Sequence, residues 1–424
     1  MKESIISKLK KSDFLKGSLI LLIASLTMNS LFFLFQIYVG KLGPSESGLF
    51  GTLTYLIYLL IIPLTTAIQT IITKFVSTYN VSKEHSKIKY LFLASTKKLL
   101  IAGFMFSIIF LALSKYILDF LHIDSIIPLV LITIIFLLSL VLAINRGILQ
   151  GLQNFKALGL NFIMEGAFKL VLGIVFIMLG FGVNGALIAI IFSYLIPWLI
   201  SFISFKEIFK VSPEKFNTKD LYEYSYPVFI TMFLLTAFYS IDVLLVRHFL
   251  NPIDTGYYWA ASLLGKIVFF ASSSIALVMF PKVNELNLKN INTKKILRKS
   301  IGLVLLISLP ITLVYYMIPG FILKLIGFYK QYSSITNFLG LFGVIMALYS
   351  LVYVLCFYNL SLRKTSFIYL LGFFVILEII LISLYHSSII EILNILLALI
   401  TFLLISIIIM TLKKNGTLNN NTRT

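Results

Sequence analysis

Cysteine and histidine are nearly missing from this chain of 424 residues. There is one cysteine, Cys356, and there are four histidines, His85, His122, His248 and His386, each on a different connection between apolar runs. A single cysteine rules out an internal disulfide and a thiolate cluster. No HExxH or other ligand spacing occurs, so neither a metal site nor a cofactor is expected. Charge is scarce as well. Charged residues make up 12% of the chain, against roughly 25% in soluble domains. Acidic residues are the rarer sign, 16 against 35 Lys and Arg.

What is present in excess is apolar. The hydrophobic fraction is 59% and the mean hydropathy +1.02. One water-soluble core cannot hide this much apolar surface, and the bilayer is its natural sink. The net charge of +19 does not indicate nucleic-acid binding, because the basic residues sit in short tracts between apolar runs, as the positive-inside rule requires.

Runs long enough to span a bilayer, about 20 residues each, lie near residues 14–39, 48–72, 98–119, 126–145, 158–180, 184–205, 224–247, 256–280, 299–319, 335–358, 366–385 and 388–411. The expected fold is therefore an all-α integral membrane protein of about twelve transmembrane helices. Of the 35 Lys and Arg, 28 fall on the N-terminal tail, the even-numbered connections and the C-terminal tail. Five fall on odd-numbered connections, and Lys169 and Lys266 lie inside spans. Such a bias places both termini in the cytoplasm and makes the helix number even. The first run follows Lys2, Lys8, Lys10 and Lys11 without a small-residue cleavage site, so it reads as a retained helix. Residues 1–205 are expected to form one six-helix lobe, 206–223 a cytoplasmic linker, 224–411 a second lobe, and 412–424 a disordered cytoplasmic tail.

The chain repeats itself. Leu42-Gly43-Pro44-Ser45-Glu46-Ser47-Gly48-Leu49-Phe50 and Leu250-Asn251-Pro252-Ile253-Asp254-Thr255-Gly256-Tyr257-Tyr258 share L-x-P-x-[DE]-[ST]-G-x-[FY], and Lys74 meets Lys282 at the same spacing. Leu158, Gly159, Ile163 and Glu165 likewise match Leu371, Gly372, Ile376 and Glu378. A favourable turn that arose twice would explain the first match alone; two matches in equivalent places argue for duplication. With six helices per half, the repeat is parallel, and two such bundles can rock about a site on their shared axis.

Several segments resemble the polysaccharide biosynthesis (oligosaccharide flippase, Wzx-like) proteins. They are Val39 to Tyr55, Asn145 to Phe155, Ser240-Ile241-Asp242, and Gly256-Tyr257-Tyr258. These proteins belong to the superfamily of multidrug, oligosaccharidyl-lipid and polysaccharide (MOP) exporters. The resemblance implies a MATE-like fold of two parallel six-helix lobes in a V. It also implies a cavity lined by helices 1, 2, 7 and 8, and flipping of lipid-linked sugars on a polyprenyl or dolichyl carrier. The multidrug branch would imply export against a cation gradient, with H+ or Na+ as partner.

Ionisable groups within spans are costly and so mark candidate sites. Lys266 lies near the middle of helix 8 with Ser262 and Ser273 on its face, placed to hold a carrier pyrophosphate or to pair with an acid. Asp242, inside the outer end of helix 7, reads as a coupling-cation or gating residue, or as half of a gate ion pair with Arg247 at that end or with Lys41. Glu165 and Lys169, four residues apart, read as an internal ion pair. Glu378, the repeat mate of Glu165, has no lysine four residues on, so it either carries a proton or pairs elsewhere in its half. Asn29 and Gln36 on helix 1 and Gln69 on helix 2 either line the cavity or hold helices together. Arg146 is placed with Lys156 in a short inner loop, as headgroup contact or topology charge. The expected function is translocation of a lipid-linked oligosaccharide across the cytoplasmic membrane without covalent chemistry. The rivals are a cation-coupled drug or metabolite antiporter and, less favoured, a membrane-embedded glycosyltransferase; the latter would need a carboxylate pair and a larger outer loop.

Overall fold

The computed structural model describes residues 2–216, 225–289 and 291–412. The expected tail, and the second part of the expected linker, lie outside the described residues. Among them are twelve helices long and apolar enough to cross a membrane: α1 (Leu19–Gly40), α2 (Pro44–Val81), α3 (His85–Ala112), α4 (Ile127–Gly151), α5 (Phe155–Met178), α6 (Gly182–Phe205), α7 (Pro227–Phe249), α8 (Pro252–Asn287), α9 (Lys294–Met317), α10 (Leu339–Ser361), α11 (Phe367–Leu384) and α12 (Ile389–Leu412). They form a multi-pass membrane protein. The chain divides into two compact units, Met1–Thr236 and Ala237–Thr424.

Both units follow one packing diagram. In the first, α1 packs on α5, α5 on α6, α2 on α4, and α4 on α3 and α6. In the second, the C-terminal half of α7 packs on α11, α11 on α12, α8 on α10, and α10 on α9 and α12. The central helices α4 and α10 are the most deeply buried, which is why α4 and α10 read as nearly continuous apolar runs.

The connections repeat too. The motif read as an outer loop is in fact the first turn of α2 and of α8. Pro44 and Pro252 each occupy an early helical position, where a missing N–H costs nothing. Ser47 Oγ donates to the Gly43 carbonyl at 2.7 Å, and Thr255 Oγ1 to the Asn251 carbonyl at 3.0 Å. Glu46 and Asp254 sit at the positive helix ends. α4 and α10 end alike, with Gln153 and Arg363 each at φ 58°. Asn154 N donates to Leu149 O at 2.9 Å, and Lys364 N to Asn359 O at 3.0 Å. Short helices Ser114–Leu121 and Pro319–Leu325 occupy the equivalent α3–α4 and α9–α10 connections.

Two expectations about helix extent need correction. α2 runs on to Val81 and α8 to Asn287, well past residues 72 and 280. At 38 residues and 1.5 Å per residue α2 is about 57 Å long, against a hydrocarbon core of about 30 Å. Polar residues such as Lys74, Thr78 and Asn80 end an apolar run but not a helix. α7, read as continuous, is interrupted: it consists of Ser225–Phe238 and Ile241–Phe249.

The units differ in how closely the first and fifth helices approach. On α5, Gly166 lies against the Met28 backbone, where a Cβ would come within 3.0 Å, and Gly173 lies against the Phe35 ring. Small residues permit this contact, the usual means of joining membrane helices. In the second unit the residue matching Gly166 is Ile379, and α11 meets the C-terminal half of an interrupted α7.

Candidate functional site

Among the described residues, each unit holds one ionic cluster inside its spans. In the first unit it joins α4 and α5. Arg146 does not lie in a loop: α4 continues to Gly151, and Arg146 sits within it. The apolar run stops at Ile144, but the helix continues because the arginine finds partners on α5. Its Nη2 meets Glu165 Oε2 at 2.7 Å, and its Nε donates to Asn161 Oδ1 at 2.7 Å. Lys169 Nζ meets Glu165 Oε1 at 2.9 Å, the helical pairing expected from the sequence. Both carboxylate oxygens are thus engaged. The Asn161 amide donates to the Pro197 carbonyl of α6 at 2.8 Å. Aromatic faces complete the cluster: Arg146 lies 4.7 Å from the Phe162 ring centroid, and Lys169 4.5 Å from Phe32 and 5.3 Å from Tyr194. Two cations share one carboxylate, so the cluster carries a surplus positive charge.

In the second unit the cluster is built around the break in α7. The interruption at Tyr239 and Ser240 frees backbone groups that a membrane interior must satisfy. Lys266 of α8, 4% exposed, donates from Nζ to the Tyr239 carbonyl at 3.3 Å and lies 4.6 Å from its ring. Asp242 falls in the first turn after the break, at a positive helix end. Its Oδ2 accepts the Tyr258 hydroxyl at 2.6 Å. Its Oδ1 is buried with no hydrogen-bond partner. Glu378 of α11 is 0% exposed, and neither of its oxygens has a hydrogen-bond partner. Asp242 acts electrostatically on both Lys266 and Glu378. Tyr349 of α10 walls this region, 5.7 Å from the Tyr239 ring and 4.9 Å from Phe269. The cluster thus contains two carboxyls and one ammonium.

The sequence candidates divide accordingly. Lys266, Asp242 and Glu378 come together, as do Arg146, Glu165 and Lys169. Ser262 is buried near Lys266 on α8, whereas Ser273 is only half-buried and bonds back to Phe270 O. Arg247 is buried toward the end of α7. Asn29 is exposed, and Gln36 is buried. Gln69 donates to Gln150 Oε1 at 2.9 Å across α2 and α4, with Thr73 beside it, which is the helix-joining role. Sequence reasoning missed Tyr258, although it stands in the repeated motif, and Asn161, which lies one turn before Glu165.

A family model described as "Polysaccharide biosynthesis protein" matches residues 41–337. The chain therefore belongs to the polysaccharide biosynthesis protein family. Its fold is that of the MATE transporters of the MOP superfamily. It is similar to an inward-facing MATE multidrug resistance transporter at 16% identity and a TM-score of 0.70, covering 91% of this chain and 93% of that one. A MOP superfamily transporter from Pyrococcus furiosus, described by the reverse polarity of its binding pocket, aligns at 17% identity with a TM-score of 0.60 and 94% of each chain. A further relative is an uncharacterized membrane protein of Methanocaldococcus jannaschii, 28% identical over 166 residues, 35% of this chain. The match spans only 39% of that relative's length.

Proposed function

We propose that this protein translocates a lipid-linked oligosaccharide across the cytoplasmic membrane by alternating access. Membership of the polysaccharide biosynthesis family carries the reading. The surplus cation of Arg146 and Lys169 supports it, because a pyrophosphate-linked carrier is anionic and Arg suits phosphate recognition. The second cluster supplies the coupling. An ionised Glu378 with neither oxygen paired would be costly in this environment, so it takes up a proton or a small cation. Lys266, engaged by Tyr239 and Asp242, tunes that uptake rather than holding the carrier.

A cation-coupled antiporter is the second reading, favoured by the MATE fold alone. One experiment separates the two. Purified protein in vesicles is given a fluorescent polyprenyl-diphosphate sugar in the inner leaflet, and its appearance outside is followed by quenching. Flipping well above that of protein-free vesicles is expected. Background flipping accompanied by efflux of a cationic dye would overturn the oligosaccharide reading in favour of the antiporter.

A further inference from the structure

Beyond α6 the chain forms a short helix, Lys206–Lys210, and then an extended stretch to Phe216. The two parts are held differently. The first is held by burial: Phe205 and Ile208 are buried, and the Phe209 ring stands edge-on to Phe92 at 5.3 Å. The second is exposed from Ser212 to Lys215, yet it is tied down at separate points. Lys89 of α3 donates to the carbonyls of Phe209 and Val211, both at 2.8 Å. One ammonium thereby closes the end of the short helix and captures the strand that leaves it. Glu214 N donates to Ser86 O at 3.2 Å, and Glu214 Oε1 lies 4.0 Å from Lys87. Phe216 inserts edge-on between Tyr79 at 5.0 Å and Tyr90 at 5.6 Å.

Few buried apolar contacts and exposed backbone mark the low-stability parts of a protein, which open locally while the rest stays folded. Residues 211–216 have that character, and their attachments are charged contacts from Lys87 and Lys89, one backbone hydrogen bond and one aromatic slot. All can be broken and remade without unfolding a helix. Burial of 205 and 208 keeps the base of the segment in place, so release is confined to its end.

We propose that residues 211–216 are a releasable latch. When docked, it ties the exit of α6 to the α2–α3 turn through Lys89 and the Tyr79–Tyr90 slot; when undocked, it frees that turn. The device is independent of the substrate assigned above.

The test is a distance measurement on the full chain in nanodiscs, with spin labels at Ser82→Cys and Lys215→Cys in a Cys356→Ser background. Two populations are expected, a short docked distance and a longer one. Lys89→Ala should raise the ratio of undocked to docked protein about tenfold, as loss of a charge-assisted hydrogen bond implies. Phe216→Ala, which touches no helix core, should act in the same direction. A single short distance unchanged by either substitution would make the segment a fixed strap. A single long distance would mean that it never docks. Two populations insensitive to both substitutions would remove Lys89 and Phe216 from the device. Any of these three results overturns the proposal.

Discussion

Glu165 and Glu378 are repeat mates on equivalent helices, yet their surroundings are opposite. Glu165 has a cation on each oxygen, while Glu378 has no hydrogen-bond partner on either. In the first unit the partners come from α4 and from one turn along α5. In the second, α10 and α11 hold no basic residue, and Lys266 of α8 donates to the Tyr239 carbonyl at the break in α7. Close packing follows the same division, with Gly166 against the backbone of a continuous α1 and an exposed Ile379 at the matching position of α11. The first unit holds its glutamate in a closed ionic brace, whereas the second leaves Glu378 without a hydrogen-bond partner, in the unit whose α7 is interrupted. A carboxyl must be left unsatisfied to exchange a proton or cation during a cycle; a braced one stabilises the fold.

The contrast can be broken in graded steps. The largest effect is expected from Glu165→Ala, which strands the buried Lys169 and the partly buried Arg146; breaking a buried pair costs about 3–5 kcal/mol. Thermal unfolding in detergent should show it as a collapse in Tm. Lys266→Met should cost about 1–3 kcal/mol, because it leaves Tyr239 O short of a donor and removes the cation whose field reaches Asp242. Adding Asp242→Asn should recover part of that loss, and a double-mutant cycle of zero would separate the two residues. Gly166→Leu should cost about 1–3 kcal/mol by forcing α5 from α1, whereas Ile379→Leu should be nearly silent in the same unfolding assay. The smallest effect is at the α8 cap. Asn251 Oδ1 accepts from Asp254 N at 2.9 Å, so Asn251→Ala should cost about 1 kcal/mol. Gly43 offers no such side chain at the start of α2.

Much of this was legible in the sequence, for physical reasons. Apolar runs and basic tracts announce spans directly, and a two-unit repeat announces itself in Pro, acid and Gly at fixed spacing. The Glu165–Lys169 pair is local, four residues apart on one helix, so spacing alone revealed it. Arg146 was misplaced because a charge at the end of an apolar run looks the same whether the helix stops or finds a partner on its neighbour. The break in α7 was invisible because Tyr239 and Ser240 continue the run without Gly or Pro. The reason for it, a lysine 27 residues away that satisfies the freed carbonyl, is tertiary. Tyr258 was overlooked because an aromatic in an apolar helix is ordinarily packing, and only Asp242 opposite makes it a donor.

One paired measurement tests the divergence of the two glutamates most directly. Glu165→Gln and Glu378→Gln are reconstituted side by side, and unfolding temperature and flipping of the polyprenyl-diphosphate sugar are read on each. Glu378→Gln should unfold within about 1 kcal/mol of the parent, since an amide can replace an unpaired carboxyl at little cost, and should lose flipping. Glu165→Gln should unfold markedly earlier. A Glu378→Gln protein that flips at the parental rate, or a Glu165→Gln protein as stable as the parent, would contradict the account.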